Sequence, residues 1–248
     1  MRFFDKEKML KFNVDEVLFI DTERKNLPFR QGSEAKVKTA KKWGDFEKLM
    51  SASTGLMKLE GERKAYYEPI KVIVIDSFTR ILFLLSEFLD AQKVDGFSFW
   101  REYGKIIQKL LIDWESGGRF IVFTALEENV RDGDGIDTKC IKVDGKMLEG
   151  KVESFFSTVL HTHFNPAKQR PECYQFETNT ANGKTTSKSA DGMFKDLYIQ
   201  NDMSFVLGSY YDYYKMKDRP EFVPSPIIVY GKSGSGKSTS FKYLFEEQ

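Results

Sequence analysis

The stretch GKSGSGKS, Gly231 to Ser238, constrains this chain more than any other. It fits G-x-x-x-x-G-K-[ST] at Gly231, Gly236, Lys237 and Ser238. Pro226 to Tyr230 ahead of it is an apolar run that reads as a buried strand. Thr239 to Glu247 behind it reads as a helix with Phe241, Leu244 and Phe245 on one face. Strand, glycine-rich turn and helix in that order separate a phosphate-binding loop from a merely flexible Gly/Ser segment. The glycines let backbone N–H groups curl inward around an anion. The helix that follows is expected to aim its positive end at the same charge. Lys237 adds a mobile cation, and the Ser238 hydroxyl is able to ligate Mg²⁺. Gly231, Lys232, Ser233, Gly234, Ser235, Gly236, Lys237, Ser238 and Thr239 are therefore the expected phosphate cradle, with ATP and Mg²⁺ as the expected ligand and cofactor.

Such a loop needs a second strand whose acid holds the metal, and the sequence offers it only upstream. EVLFID (Glu16 to Asp21), KVIVIDSFT (Lys71 to Thr79) and RFIVFT (Arg119 to Thr124) read as buried strands, as do Phe155 to Phe164 and Glu172 to Thr178, the last placed at the sheet edge. Helices are expected over Glu34 to Ser53 with a basic face, from after Asp76 to about Gln92, from an N-cap at Ser98 to about Glu115, and over Asp202 to Tyr214. Asn179 to Gly192 is polar and reads as a mobile loop, and Lys215 to Ser225 as a charged connector. Apolar strands alternating with helices imply an α/β fold: a mostly parallel sheet, helices on both faces, and the phosphate-loop strand and helix at the C-terminus.

Ligands gather at the carboxyl ends of such strands. Asp76, closing VIVID, is the candidate metal acid together with Ser238; the alternative is a helix cap. Glu23 is a candidate for orienting and deprotonating an attacking water, or else an exposed turn residue. Thr124 would face the terminal phosphate or that water, or be a plain strand end, and Glu127 and Glu128 are weaker candidates.

Composition narrows the rest. A net charge of +1 gives no global field for nucleic acid or an acidic membrane. The two cysteines, Cys140 and Cys173, do not make a disulfide framework and suit a reducing compartment. No run spans a bilayer and MRFFDKEKML lacks a signal-peptide core, so a cytoplasmic location is expected. RDGDGID (Arg131 to Asp137) departs from a calcium loop and reads as a hairpin turn. His161 and His163 share a strand face near Cys173 but lack a fourth zinc ligand. The lysines of Lys36 to Lys42 and the loop Asn182 to Ser189 are either solvated faces or contacts to DNA phosphates. Arg24, Arg30, Arg131 and Arg170 offer no obvious arginine finger, which a neighbouring subunit would then supply.

FIDTERKNLPFR, VIVIDSFTRIL, GFSFWREYGKIIQKLL, FIVFTALEE, GKMLEGKVESFFSTVLHT and DGMFKDLYIQND resemble, in that order and over nearly the whole chain, the RecA-like P-loop ATPases of tailed phages linked to recombination or single-strand annealing, within the wider AAA and RecA-like group. The resemblance implies phosphate binding at Gly231 to Thr239, metal at Ser238 and Asp76, the catalytic carboxylate at Glu23 and a sensor-like Thr124. It also implies single-stranded DNA and further copies of the chain as partners, with no membrane. In such relatives the phosphate loop comes first. Here it comes last, and reading Gln248 into Met1 restores their order. The expectation is one circularly permuted domain: residues 1–214 with the acidic motif, 215–225 as connector and 226–248 as phosphate-loop strand and helix. A truncated second domain is the competing account. An ATPase of phage DNA recombination, a P-loop kinase and a nucleotide-gated binding module without turnover are the functions to separate.

Overall fold

The computed structural model describes residues 9–29, 34–94, 96–113, 118–131, 135–143, 148–149, 151–180 and 183–245. The strands are β1 (Val17–Asp21), β2 (Lys36–Thr39), β3 (Val72–Asp76), β4 (Phe120–Arg131), β5 (Asp137–Ile141), β6 (Thr158–Phe164), β7 (Tyr174–Glu177), β8 (Tyr198–Gln200) and β9 (Ile227–Gly231). They form a nine-stranded sheet in the order β2-β1-β3-β4-β9-β6-β7-β8, with β5 paired to β4 off that path. Every neighbouring pair from β2 to β6 along this order is parallel. β7 and β8 extend the sheet antiparallel. The helices are α1 (Trp43–Ser53), α2 (Gly61–Tyr67), α3 (Phe78–Ala91), α4 (Gly96–Asp113) and α5 (Met203–Tyr213).

The alternation of side chains along each strand explains why both faces are covered. Leu18, Ile20, Ile73, Ile75 and Phe123 point to one side, where they pack with Trp43 and Phe46 of α1, Phe78 and Ile81 of α3, and Tyr103 of α4. Val17, Phe19, Val72, Val74 and Val122 point to the other, against Met203 and Val206 of α5 and against Phe241. Strands buried on two faces have no polar side to show, so their sequences read as unbroken apolar runs.

Several expectations need correction. The helix placed over Glu34 to Ser53 is a strand followed by a helix. Lys36–Thr39 pairs in parallel with β1 from Leu18 to Asp21, and α1 starts only at Trp43. At this sheet edge Lys36 and Lys38 are half-buried over the Tyr66 ring, while Val37 and Thr39 are exposed and the backbone pairs, so a basic run that looked helical is a strand. Ser98 lies inside α4, which begins at Gly96. β7 is interior, because the unanticipated β8 covers its outer edge. RFIVFT continues to Arg131 and turns back into β5, the hairpin that RDGDGID signalled. Residues 132–134 at its tip lie outside the described residues, as do Arg30, Asn182 and 246–248.

The loop expected to be mobile is pinned where it is described. Thr186 N–H donates to Lys139 O at 3.1 Å and Val159 N–H to Lys188 O at 2.8 Å. Ser187 is buried. The Tyr230 hydroxyl on β9 accepts from Thr186 N–H at 2.9 Å and donates to Lys139 O at 3.1 Å. Burial pushes that phenol up to about 12.

The helix expected after the phosphate loop is a 3₁₀ stretch over Ser238–Leu244. Seven residues of 3₁₀ helix give a weaker aligned dipole than the α-helix the sequence suggested. Beyond it, Phe245 bridges in parallel to Phe12, whose N–H donates to Leu244 O at 2.7 Å. No helix among the described residues is long and apolar enough to cross a membrane.

Candidate functional site

β9 sits between β4 and β6 with all five residues buried, so its carboxyl end delivers the glycine-rich turn to the middle of the sheet. Close approach explains two of its glycines. A Cβ on Gly231 would lie 1.8 Å from Thr162 Oγ1, and one on Gly236 would lie 2.8 Å from Asn201 Nδ2. The neighbours that forbid these side chains also hold the loop. Thr162 Oγ1 donates to Ser235 Oγ at 2.7 Å, and Asn201 Nδ2 to Gly236 O at 3.1 Å. Gly231→Ala is expected to cost about 1–3 kcal/mol by overpacking, and adding Thr162→Ala should recover only the part owed to the Oγ1 clash, because a φ of +156° still disfavours a side chain. Urea unfolding of the single and double variants decides this, and a neutral Gly231→Ala would remove the steric argument.

The acid strand β3 lies one strand further on, across β4. Asp76 bridges that gap with both oxygens. Its Oδ1 accepts from Thr124 Oγ1 at 2.5 Å and its Oδ2 from Ser238 Oγ at 2.7 Å. Residues far apart in the chain thus meet at the carboxyl ends of three adjacent strands. Ser238 Oγ beside an Asp carboxylate is a hard-oxygen donor pair of the kind Mg²⁺ takes alongside phosphate oxygens, so the residues present fit that ion. Thr124, expected to face a phosphate or water, is fully buried and spends its hydroxyl on orienting Asp76.

Glu23 follows β1 in a turn organised by Asp21, whose Oδ1 accepts from the N–H groups of Glu23 (2.9 Å) and Arg24 (2.8 Å). The Thr22 hydroxyl donates to Asp76 O at 3.0 Å and accepts from Ser77 N–H at 2.8 Å, tying the turn after β1 to the turn after β3. Ser77 Oγ donates to Glu23 Oε1 at 2.8 Å, and Lys25 pairs with Glu23 Oε2. Burial pushes the Glu23 carboxyl up. The hydrogen bonds from Lys25 and Ser77, with the charges of Lys25 and Lys237, outweigh it and hold the group below the ordinary glutamate value.

Lys237 Nζ donates to Gly231 O at 2.9 Å and Lys232 O at 2.8 Å. Burial pushes its pKa below the usual lysine value against the opposing pull of Asp76, Glu23 and Glu127. Glu23, Asp76 and Lys237 therefore share one electrostatic neighbourhood.

Sequence reasoning missed the supporting groups Thr22, Lys25, Ser77, Thr162 and Asn201. Polar residues at and after strand ends carry no periodic signal, and the partners of all but Lys25, which pairs with Glu23 in its own turn, come from distant parts of the chain. His161 is no metal ligand with Cys173; its Nε2 lies 2.8 Å from Glu127 Oε2 and its Nδ1 3.5 Å from Glu177 Oε2. Among the described residues no cluster of three His, Cys, Asp or Glu suits a metal. Lys36 and Lys38 place their ammonium groups 4.8 and 4.5 Å from the centre of the Tyr66 ring. Arg131 lies beside Asp137, and Arg170 stacks over Tyr174.

No family model, curated protein or solved structure matches the chain.

Proposed function

We propose that this chain is a Mg²⁺-dependent, ATP-binding and ATP-hydrolysing P-loop protein of the RecA-like class that acts on single-stranded DNA in phage recombination or annealing. The observation that carries the reading is the Ser238–Asp76 contact, which brings the glycine-rich loop into hydrogen-bond contact with the acid strand at 2.7 Å. The placement of Thr124 on the strand between them supports it, because β4 then supplies a hydroxyl that fixes the acid. The order of the elements departs from that of the relatives resembled. A circular permutation accounts for this, and the pairing of Phe12 with Phe245 supports it by bringing the two segments side by side.

In this reading the amides of Gly234 to Ser238 and the Lys237 ammonium hold the β- and γ-phosphates, Lys237 exchanging its loop carbonyls for phosphate oxygens. Ser238 and Asp76 would hold Mg²⁺, which when bound would supply charge neutralisation to the phosphates. Glu23, fully ionised at neutral pH, accepts a hydrogen bond from the attacking water and takes up its proton. The water oxygen bonds to the γ-phosphorus as the bridging P–O bond breaks and ADP leaves. Phosphoryl transfer needs positioning and charge stabilisation more than covalent help, which is what these groups offer. Basic side chains of the 183–189 loop would meet DNA phosphates, and a second copy of the chain would supply any arginine finger.

Phosphate release measured with and without single-stranded DNA tests the proposal. The parent protein is expected to turn over ATP faster with DNA present, and Lys237→Ala to lose nucleotide binding. ATP binding with no turnover under either condition would favour the second reading, a nucleotide-gated binding module. The pairing of Glu23 with Lys25 is the observation on that side.

A further inference from the structure

Beside the phosphate loop lies a cavity of about 620 Å³, within the size range of small-molecule sites. One wall is the loop itself, Gly234 to Ser240. The rest of its lining includes Pro28 after β1, Arg170, Pro171 and Tyr174 where the chain enters β7, and Tyr243 in the 3₁₀ stretch after the loop. The cavity thus joins an anion-binding lip to an aromatic and proline surface, the two chemistries that a nucleotide presents at its two ends.

We infer that Tyr174, flanked by Arg170 and Tyr243, is the stacking platform for the base of a nucleoside triphosphate whose phosphates lie in the loop; this rests on the nucleotide-binding reading above. The Tyr174 ring abuts the loop, since a Cβ on Gly236 would lie 3.3 Å from Tyr174 Cδ1. Phe164 braces the ring edge-on at 5.6 Å between centroids. The Arg170 guanidinium lies 5.7 Å from the ring centre, so the platform already carries a planar cation of the sort that stacks on bases. Asn201, bound to Gly236 O, fixes the loop against this wall. A site that reads the face of a base rather than its edge is tolerant of base identity, because every base has a π-face. Selectivity among nucleoside triphosphates is therefore weak, and Tyr174 supplies affinity.

Calorimetric titration of ATP and of inorganic tripolyphosphate, each with Mg²⁺, separates the platform from the loop. Tyr174→Ala is expected to weaken ATP binding about 5- to 150-fold, the range for loss of one base–aromatic stack, and to leave tripolyphosphate binding unchanged. Tyr174→Phe should retain ATP affinity. Unchanged ATP binding by Tyr174→Ala, or equal weakening of both ligands, overturns the platform while leaving the loop assignment intact. A parent protein that binds neither ligand overturns both. A thermal melt of each variant confirms that the fold is retained.

Discussion

Glu23→Gln is expected to slow ATP turnover about 10²- to 10⁴-fold, the usual contribution of a positioned general base, while ATP affinity stays close to that of the parent. Glutamine keeps the shape of the side chain and can still meet Ser77 Oγ, so the turn after β1 should survive. What it loses is the negative charge that orients the water and receives its proton. The orphaned Lys25 is mostly exposed and costs little when unpaired. Phosphate release and a nucleotide-binding titration on the same variant make the comparison. Turnover within tenfold of the parent would mean that Glu23 is only a turn residue. The pH profile gives a second check. The working form is the carboxylate, and its pKa is held below the ordinary glutamate value, so activity is lost only as pH falls through that lowered value. The acid limb of kcat/KM should therefore lie below the ordinary glutamate range and be absent in Glu23→Gln.

Phe241→Ala is expected to destabilise the protein by about 3–5 kcal/mol, the cost of emptying a buried aromatic site. That is a large fraction of the roughly 5–15 kcal/mol that holds most folds together. The ring is 0% exposed and meets Phe19 edge-on at 5.9 Å. Phe19 in turn packs on Phe29 at 5.8 Å and on Phe245 at 6.4 Å. Because Phe241 lies in the 3₁₀ stretch that leaves the phosphate loop, its loss should also loosen Lys237 and Ser238 and weaken ATP binding in the fraction that stays folded. Urea unfolding and ATP titration measure the two effects. A loss below 1 kcal/mol would show that the aromatic cluster does not anchor the loop.

Much of the scaffold was legible because doubly buried strands leave unbroken apolar runs. VLFID, VIVID and FIVFT announced themselves as parallel-sheet strands, and Asp76 was conspicuous as an acid closing one of them. β2 and β8 were hidden for the opposite reason. Each is a short edge strand with no more than one buried residue, so neither shows the apolar signature that burial imposes. The 3₁₀ form of the segment after the loop was equally hidden, since Phe241, Leu244 and Phe245 suit a helical face and only their packing against Phe19 and Phe12 selects the tighter turn.

The amino-acid order alone determined that a glycine-rich turn after an apolar strand, an acid-tipped strand and a mostly parallel α/β sheet belong to this chain, because those signals reside in local spacing and in burial periodicity. The tertiary structure decided which groups work together. Thr124 serves Asp76, Ser77 and Lys25 hold Glu23, and Tyr174 walls the cavity beside the loop. The Thr124–Asp76 and Ser77–Glu23 pairings span strands brought adjacent by sheet order, and no local pattern encodes which distant side chain will fill a given gap.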